Sequence, residues 1–326
     1  MERWYGPRGF PGAPGGSVVA VGNFDGVHRG HRVLLDEVVR VARARGLRAL
    51  AVTFDPHPLH VLHPDRAPAL LTGLQERLGL LEGTGLDGVV VLPFTPGLAA
   101  RTPREWVAED LVGDLGMRVH VVGHDVRFGV RNSGDLGVLQ EMAPGLGLEV
   151  VVLDDARSAG RRWSSSWVRE LLAAGDARGA SEVLGRAHRV VGEVVHGDHR
   201  GRELGYPTAN LSPAAEGLVP ADGVYAGWLT ALADGAPGSG VRAGERRPAA
   251  VSIGTNPTFD GLERRVEAFV LDVPPGAPLD LYGTRVRVEL VERLRETLRF
   301  DGVEELCAQM ARDVVDARAA LGAPGA

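Results

Sequence analysis

The sequence contains no lysine, so all 36 of its fixed cations are arginines. That absence excludes a phosphate-binding loop built around a lysine, and it excludes Schiff-base chemistry. Any nucleotide chemistry here must run on backbone amides, histidine, arginine and a metal. Cysteine is nearly absent too: Cys307 stands alone, makes no internal disulfide and fits a reducing compartment. No apolar run approaches the roughly 20 residues of a membrane-spanning helix. The Gly/Pro-rich start, Met1 to Gly16, lacks the apolar centre of a signal peptide. A soluble, cytoplasmic chain with no membrane partner is therefore expected. Positive charge is not in excess either, since the net charge is −6, which argues against nucleic acid as a partner.

What is present is an ordinary globular composition, 44% hydrophobic over 326 residues, long enough for two domains. The most informative stretch comes early. Val18-Val19-Ala20-Val21 reads as a short buried strand. Gly22-Asn23-Phe24-Asp25-Gly26-Val27-His28-Arg29-Gly30-His31 is a glycine turn, and Val33, Leu34, Leu35, Val38, Val39, Val41 and Ala42 then recur at helical spacing. A strand, a glycine turn and a helix start aim free backbone N–H groups and a positive dipole end at one spot, which suits phosphate. His28 and His31 fall at that spot, where imidazoles can hydrogen-bond phosphate oxygens and stabilise a charged leaving group. As half of a zinc site they lack partners, with one cysteine in the chain and no H-E-x-x-H pattern.

Further strands read at Arg48–Phe54, Val89–Leu92, Val119–Val122 and Leu148–Leu153, and a helical segment at Leu71–Leu81. Thr102-Pro103-Arg104-Glu105 is a capping box that opens another helix. Apolar strands alternating with helices predict an α/β domain with a parallel sheet covered on both faces, whose ligands bind beyond the carboxyl ends of the strands. The loops Gly22–His31, Asp55-Pro56-His57-Pro58 and Gly123–Gly129 all fall there. Ser164-Ser165-Ser166 leads into a helix carrying Arg169, with Ser165 or Ser166 as the cap. By themselves the serines are a capped helix; their sharper reading is a second phosphate contact.

From about Ala187 the pattern changes to strands at 189–196, 224–229, 249–253, 266–271 and 285–290, with no helices between them. These predict an antiparallel barrel closed by a terminal helix over 301–320, with Val303, Leu306, Cys307, Met310 and Val314 as its apolar stripe. Asp234–Glu245 reads as a mobile hairpin tip. The polar run Gly201-Arg202-Glu203-Leu204-Gly205-Tyr206-Pro207-Thr208-Ala209-Asn210 puts Thr208 and Asn210 two apart, so on an extended segment both face one way. Their oxygens are hard donors suited to Mg²⁺. Glu267 supplies a carboxylate, weak evidence alone because most strand glutamates face water.

Together these motifs resemble the bacterial bifunctional riboflavin kinase/FMN adenylyltransferase (FAD synthetase) family. The stretch from Gly22 to His31, Thr53–Pro58, Arg127-Phe128-Gly129, the serine run with Arg169, G-Y-P-T-A-N and G-T-N-P-T-F occur in that family's order over essentially the whole chain. The resemblance implies a Rossmann-like adenylyltransferase domain over 1–186 and a six-stranded riboflavin kinase barrel over 187–326. It implies riboflavin, FMN and ATP as substrates and Mg²⁺ as cofactor. His28, His31 and Arg169 would then handle the ATP phosphates, with Gly22, Asn23, Phe24, Asp25, Gly30, Asp125 and Ser164 to Ser166 around the nucleotide. Phe54, Asp55, Pro56, His57, Pro58, Arg127 and Phe128 would lie by the flavin. In the second domain Gly201, Arg202, Gly205, Thr208 and Asn210 would hold nucleotide and metal, and Glu267 would be the general base. Val126 and Phe269 depart from the family pattern, which commonly has an aromatic and a histidine there; Arg299-Phe300 replaces a common Lys-Phe. Two other readings use the same residues: a cytidylyltransferase-like enzyme acting on another phosphorylated substrate, and an inactive flavin-binding regulator.

Overall fold

The computed structural model describes residues 1–6, 9–158, 160–197, 204–258, 261–274 and 279–322. Packing divides the chain into two units, one of Met1–Ala69 and Leu74–Ser164, the other of Leu70–Gly73 and Ser165–Ala326.

The first unit is a six-stranded sheet in the order β1-β4-β3-β2-β5-β6, every pairing parallel. Its strands are β1 (Glu2–Tyr5), β2 (Ser17–Val21), β3 (Arg48–Asp55), β4 (Gly88–Pro93), β5 (Met117–Gly123) and β6 (Glu149–Leu153). Side chains alternate between two buried layers. Val18, Ala20, Ala49, Ala51, Val89 and Val91 face one cluster with helix α1 (Arg29–Arg45), while Val19, Leu50, Val52, Val90 and Leu92 face the other. Strand order reverses about β2, whose neighbours are β3 and β5. That is the switch point at which such sheets open a crevice. The loops after β2 and β5, 22–28 and 124–129, leave the sheet on either side of it.

Strand β1 has no counterpart in the sequence reading. It is a short edge strand with mostly exposed side chains, so it lacks an apolar alternation. Trp4 fixes it, meeting Phe10 edge-on at 4.9 Å and lying where a side chain at Gly88 would stand. Short helices α2 (Pro58–Leu62), α4 (Pro96–Ala99) and α5 (Pro103–Glu105) punctuate the connections, with α3 (Leu74–Glu82) and α6 (Leu136–Met142) between strands. The capping box forms as expected, Thr102 and Glu105 satisfying each other's backbone N–H, and α5 runs on into a π-helical stretch over Trp106–Asp114.

The second unit begins with α7 (Ser165–Ala173) and α8 (Ala177–Leu184), after a minor hairpin of β7 (Arg157–Ser158) and β8 (Arg161–Arg162) in the first. Then β9 (His188–Val195), β10 (Thr208–Leu211), β11 (Gly223–Ala231), β12 (Arg246–Thr258), β13 (Gly261–Val270) and β14 (Arg285–Arg295) close an antiparallel barrel in the order β10-β13-β12-β11-β14-β9. Val190, Val194, Tyr225, Val251, Val266 and Val288 fill its interior. Helix α9 (Val303–Leu321) lies outside the barrel, with Val314, Ala317 and Leu321 against Ala226, Ala250 and Leu294. A two-armed ion pair from Arg295 to the buried Asp313, 2.7 and 2.6 Å, fixes it. The expected stripe is thus displaced: Val303 is 60% exposed, and docking runs through the C-terminal half, where alanines allow close approach. The Asp234–Glu245 turn is also more ordered than its composition suggests, because Val241 is buried in the barrel core and Ser239 beside it.

Each unit buries a histidine in its sheet. Burial pushes both His120 on β5 and His188 on β9 down to about 4 from an ordinary 6.5. The unfolded chain therefore takes up these protons first, and stability falls as pH drops from about 6.5 to about 4. Each group costs its unit on the order of 3 kcal/mol over that window. Melting temperatures followed by circular dichroism should decline across this range, and His120→Leu should flatten the decline of the first unit alone. A constant melting temperature down to pH 4.5 would contradict both assignments.

Candidate active sites

The turn after β2 is strained. Phe24 and Val27 both adopt positive φ, 47° and 40°, which is costly for an aromatic and more so for a β-branched residue. Both side chains are fully buried in the layer under α1, and that burial holds the backbone in place. Any contribution of Phe24 to a ligand must come from its backbone.

His28 is the N-cap of α1, and its Nδ1 accepts the backbone N–H of His31 at 3.2 Å. A ring nitrogen that accepts carries no proton, so the proton of neutral His28 sits on Nε2. The two imidazoles stack, centroids 3.6 Å apart and 18° from parallel. Phe24 meets His31 edge-on at 5.3 Å. Gly30 leaves room for the stack: a Cβ there would stand a tight 3.1 Å from the His28 ring and 3.2 Å from the Trp163 carbonyl oxygen. The His31 pKa lies well below its ordinary value, through burial first, then the neighbouring His28 and Arg162; its Nδ1 is buried with no hydrogen-bond partner. His31 is therefore held as a neutral imidazole at the positive end of a 17-residue helix.

Around this turn the other loops assemble. The Asn23 carbonyl accepts from Thr53 Oγ1 at 3.1 Å and from Arg77 Nη1 at 2.9 Å. His57 caps α2 through Nδ1, and its Nε2 lies 3.1 Å from the Asn23 carboxamide. The atom of Asn23 that faces it is Nδ2. Asp55 and Pro56 are exposed and Pro58 starts α2. Phe54 stands in an aromatic wall with Phe94 at 5.6 Å and Trp106 at 6.1 Å. Phe128, Val126 and Phe54 edge the same apolar cluster, and the Phe128 ring lies over Gly134, where no Cβ would fit. Arg127 is exposed. The Asp125 carboxylate is held low by its hydrogen bond to Arg162, 2.6 Å, which also reaches Asp155 at 3.2 Å. Arg77 and Arg162 are absent from the sequence reading. The signal for Arg77 was there: it lies three residues after Leu74 and four before Leu81, on the apolar stripe of α3.

The serine run opens α7 at Ser165, so the cap position belongs to Ser164 and not to Ser165 or Ser166 as expected; those two are its first helical residues. Arg169 sits on the same helix, half-buried.

On the barrel, strand register assembles the second constellation. Asn210 on β10 pairs with Glu267 on β13, Thr208 with Phe269, and Ala209 with Ala268. Ala209 and Ala268 point into the core, so the alternate residues Thr208, Asn210, Glu267 and Phe269 share the outer face. Asn210 Nδ2 lies 3.3 Å from Thr208 Oγ1, confirming that the two side chains face the same way. Gly197 has no room for a Cβ because the Asn210 carboxamide is within 2.6 Å of that position. Ser252 flanks Glu267 from β12, and Tyr206 meets Phe269 edge-on at 5.2 Å. Phe269 also packs against the α9 cluster, which places this departure from the family pattern under the helix. Gly205 needs its positive φ of 82°; Gly201 and Arg202 lie outside the described residues. The donors on this face, a hydroxyl, a carboxamide and a carboxylate, are all hard oxygens that fit Mg²⁺. Among the described residues no three His, Cys, Asp or Glu gather into a metal cage, so a cation here would share its coordination with a phosphate ligand.

Residues 11–167 match the family described as FAD synthetase, and residues 184–321 the family described as riboflavin kinase. The bifunctional riboflavin kinase/FMN adenylyltransferase of Escherichia coli K12 is 37% identical over 307 residues, covering 94% of this chain and 93% of the relative. Its namesake from Bacillus subtilis 168 is 31% identical over 303 residues, covering 92% and 91%. A crystal structure described as a macrolide-efflux protein from Streptococcus pneumoniae superposes with a TM-score of 0.84 at 29% identity, over 98% of this chain and 99% of that one. No helix among the described residues is long and apolar enough to cross a membrane.

Proposed function

The chain belongs to the bifunctional riboflavin kinase/FMN adenylyltransferase family, and from that premise we propose how its two halves divide the work. Residues 187–326 phosphorylate riboflavin with ATP to give FMN. Residues 1–186 then join FMN to the adenylyl group of a second ATP, giving FAD and releasing pyrophosphate.

In the first half, the observation that carries the reading is the stacked histidine pair at the start of α1, on the sheet's switch point. The FMN phosphate attacks the α-phosphorus, and charge grows on the departing pyrophosphate. His28 Nε2–H, His31, the free amides of α1 and Arg169 meet that charge. Ser164, Ser165, Ser166 and the turn residues Gly22, Asn23, Asp25 and Gly30 line the nucleotide, joined by Asp125 through its tie to Arg162. Phe54, Phe128, Arg127 and the Asp55–Pro58 loop take the flavin.

In the second half, Glu267 removes the proton from the ribityl hydroxyl as it attacks the γ-phosphorus. Thr208 and Asn210 would hold Mg²⁺ through oxygen, and the bound ion would neutralise phosphate charge. Transfer of this kind depends on positioning and charge, so one carboxylate beside a fixed oxygen pair suffices.

Incubating the protein with riboflavin, ATP and Mg²⁺, with flavins separated by chromatography, should show FMN first and then FAD. Flavin that is bound but never converted would favour the inactive regulator. Untouched flavin with turnover of another nucleotide would favour the cytidylyltransferase-like enzyme.

A further inference from the structure

Arg77 is only 2% exposed although it carries a charge. It rises from α3 toward the carboxyl ends of β2 and β3. There Nη1 donates to the Asn23 carbonyl at 2.9 Å and Nη2 to the Phe54 carbonyl at 3.0 Å. Asp55 lies 3.8 Å from Nη2, and the charges of the buried Asp25 and of Asp55 both favour the charged guanidinium against the cost of its burial. One bonded carbonyl belongs to the histidine turn and the other to the strand end that carries the Asp55–Pro58 loop.

We propose that Arg77 is a positioning residue for the adenylyl transfer. The two arms of its guanidinium fix the spacing between the histidine turn and the flavin-side loop, and so the approach of FMN to the ATP α-phosphorus. This rests on the division of activities given above.

The geometry favours arginine specifically. A planar guanidinium bonds two carbonyls at a set separation, whereas a lysine ammonium is a point charge on a flexible stem. The Asn23 carbonyl is part of the peptide that joins it to Phe24, whose φ is 47°. Its second donor, Thr53 Oγ1, approaches at 3.1 Å. Arg77 thus tethers the strained part of the turn four residues before the helix cap. The Nε atom is buried with no hydrogen-bond partner, so the side chain is placed for its two outer arms rather than for full satisfaction of its donors.

The test is R77K in the full chain, with FAD formation from FMN and FMN formation from riboflavin measured on one preparation beside a thermal melt. At a temperature well below its melting point, R77K should lose about tenfold or more in kcat for FAD formation, as misplacement of reacting groups does. Its FMN formation should stay within about twofold, the control that shows a folded second unit. R77M removes charge as well as fork; if it fails to fold, R77K decides. R77K that is folded and makes FAD with wild-type kcat and KM overturns the proposal. So does a loss that disappears on cooling, since that is a stability effect. Wild-type protein that makes no FAD at all removes the underlying reading instead, which keeps the two failures apart.

Discussion

Replacing His28 by asparagine is expected to slow FAD formation by about 10²–10³-fold, the usual cost of removing one donor aimed at developing charge, and to leave FMN formation unchanged. Asparagine is the informative choice because His28 has two tasks. Its Nδ1 caps α1, and its imidazole is proposed to meet phosphate charge through Nε2–H. Alanine removes both, and losing the cap alone costs about 1 kcal/mol of helix stability. Asparagine is among the best N-cap residues, so His28→Asn keeps the helix start and removes the imidazole. The double change of His28 and His31 to alanine should abolish FAD while riboflavin is still converted to FMN. Chromatography of the flavin products reads both outcomes. Equal loss of FMN and FAD in His28→Asn would mean that the two activities are not divided between the units, and unchanged FAD formation would remove the imidazole from the reaction.

Much of this was legible in the chain. The parallel sheet follows from continuous Val/Leu strands set between helices, and the barrel from strands without helices between them. His28 and His31 announced themselves because a glycine turn between strand and helix is a strong local pattern. What escaped was set by tertiary context. Strand β1 has an exposed edge and no alternation to betray it. The helix-capping use of His28 Nδ1 also needs the extended backbone of His28, φ −71° and ψ 171°, which residue type alone does not give. Arg77 was visible only as a charge on an apolar stripe, and its two carbonyl partners are 54 and 23 residues away. The start of α7 at Ser165 was missed by one or two residues because three serines in a row cap equally well. Thr208 and Asn210 were read correctly as sharing a face, but which carboxylate stands beside them is a matter of cross-strand register. A one-residue slip between β10 and β13 would have turned Glu267 into the barrel.

That register makes the second large effect specific. Glu267→Gln is expected to lower FMN formation by about 10²–10⁴-fold, the range for loss of a general base, while FAD formation from supplied FMN stays at the wild-type rate. Glutamine keeps the size of the side chain and its capacity to hydrogen-bond, so the β10–β13 pairing of Asn210 with residue 267 survives. What it loses is the ability to take a proton from the ribityl hydroxyl. A base should act on the chemical step, so kcat should fall with little change in the KM for riboflavin. A rise in KM with kcat preserved would make Glu267 a binding group instead. Asn210→Ala gives the contrast, because it removes an oxygen proposed to share Mg²⁺ and ATP but leaves the base in place. Its loss should therefore weaken as Mg²⁺ and ATP concentrations rise, whereas the Glu267→Gln loss should not respond to either.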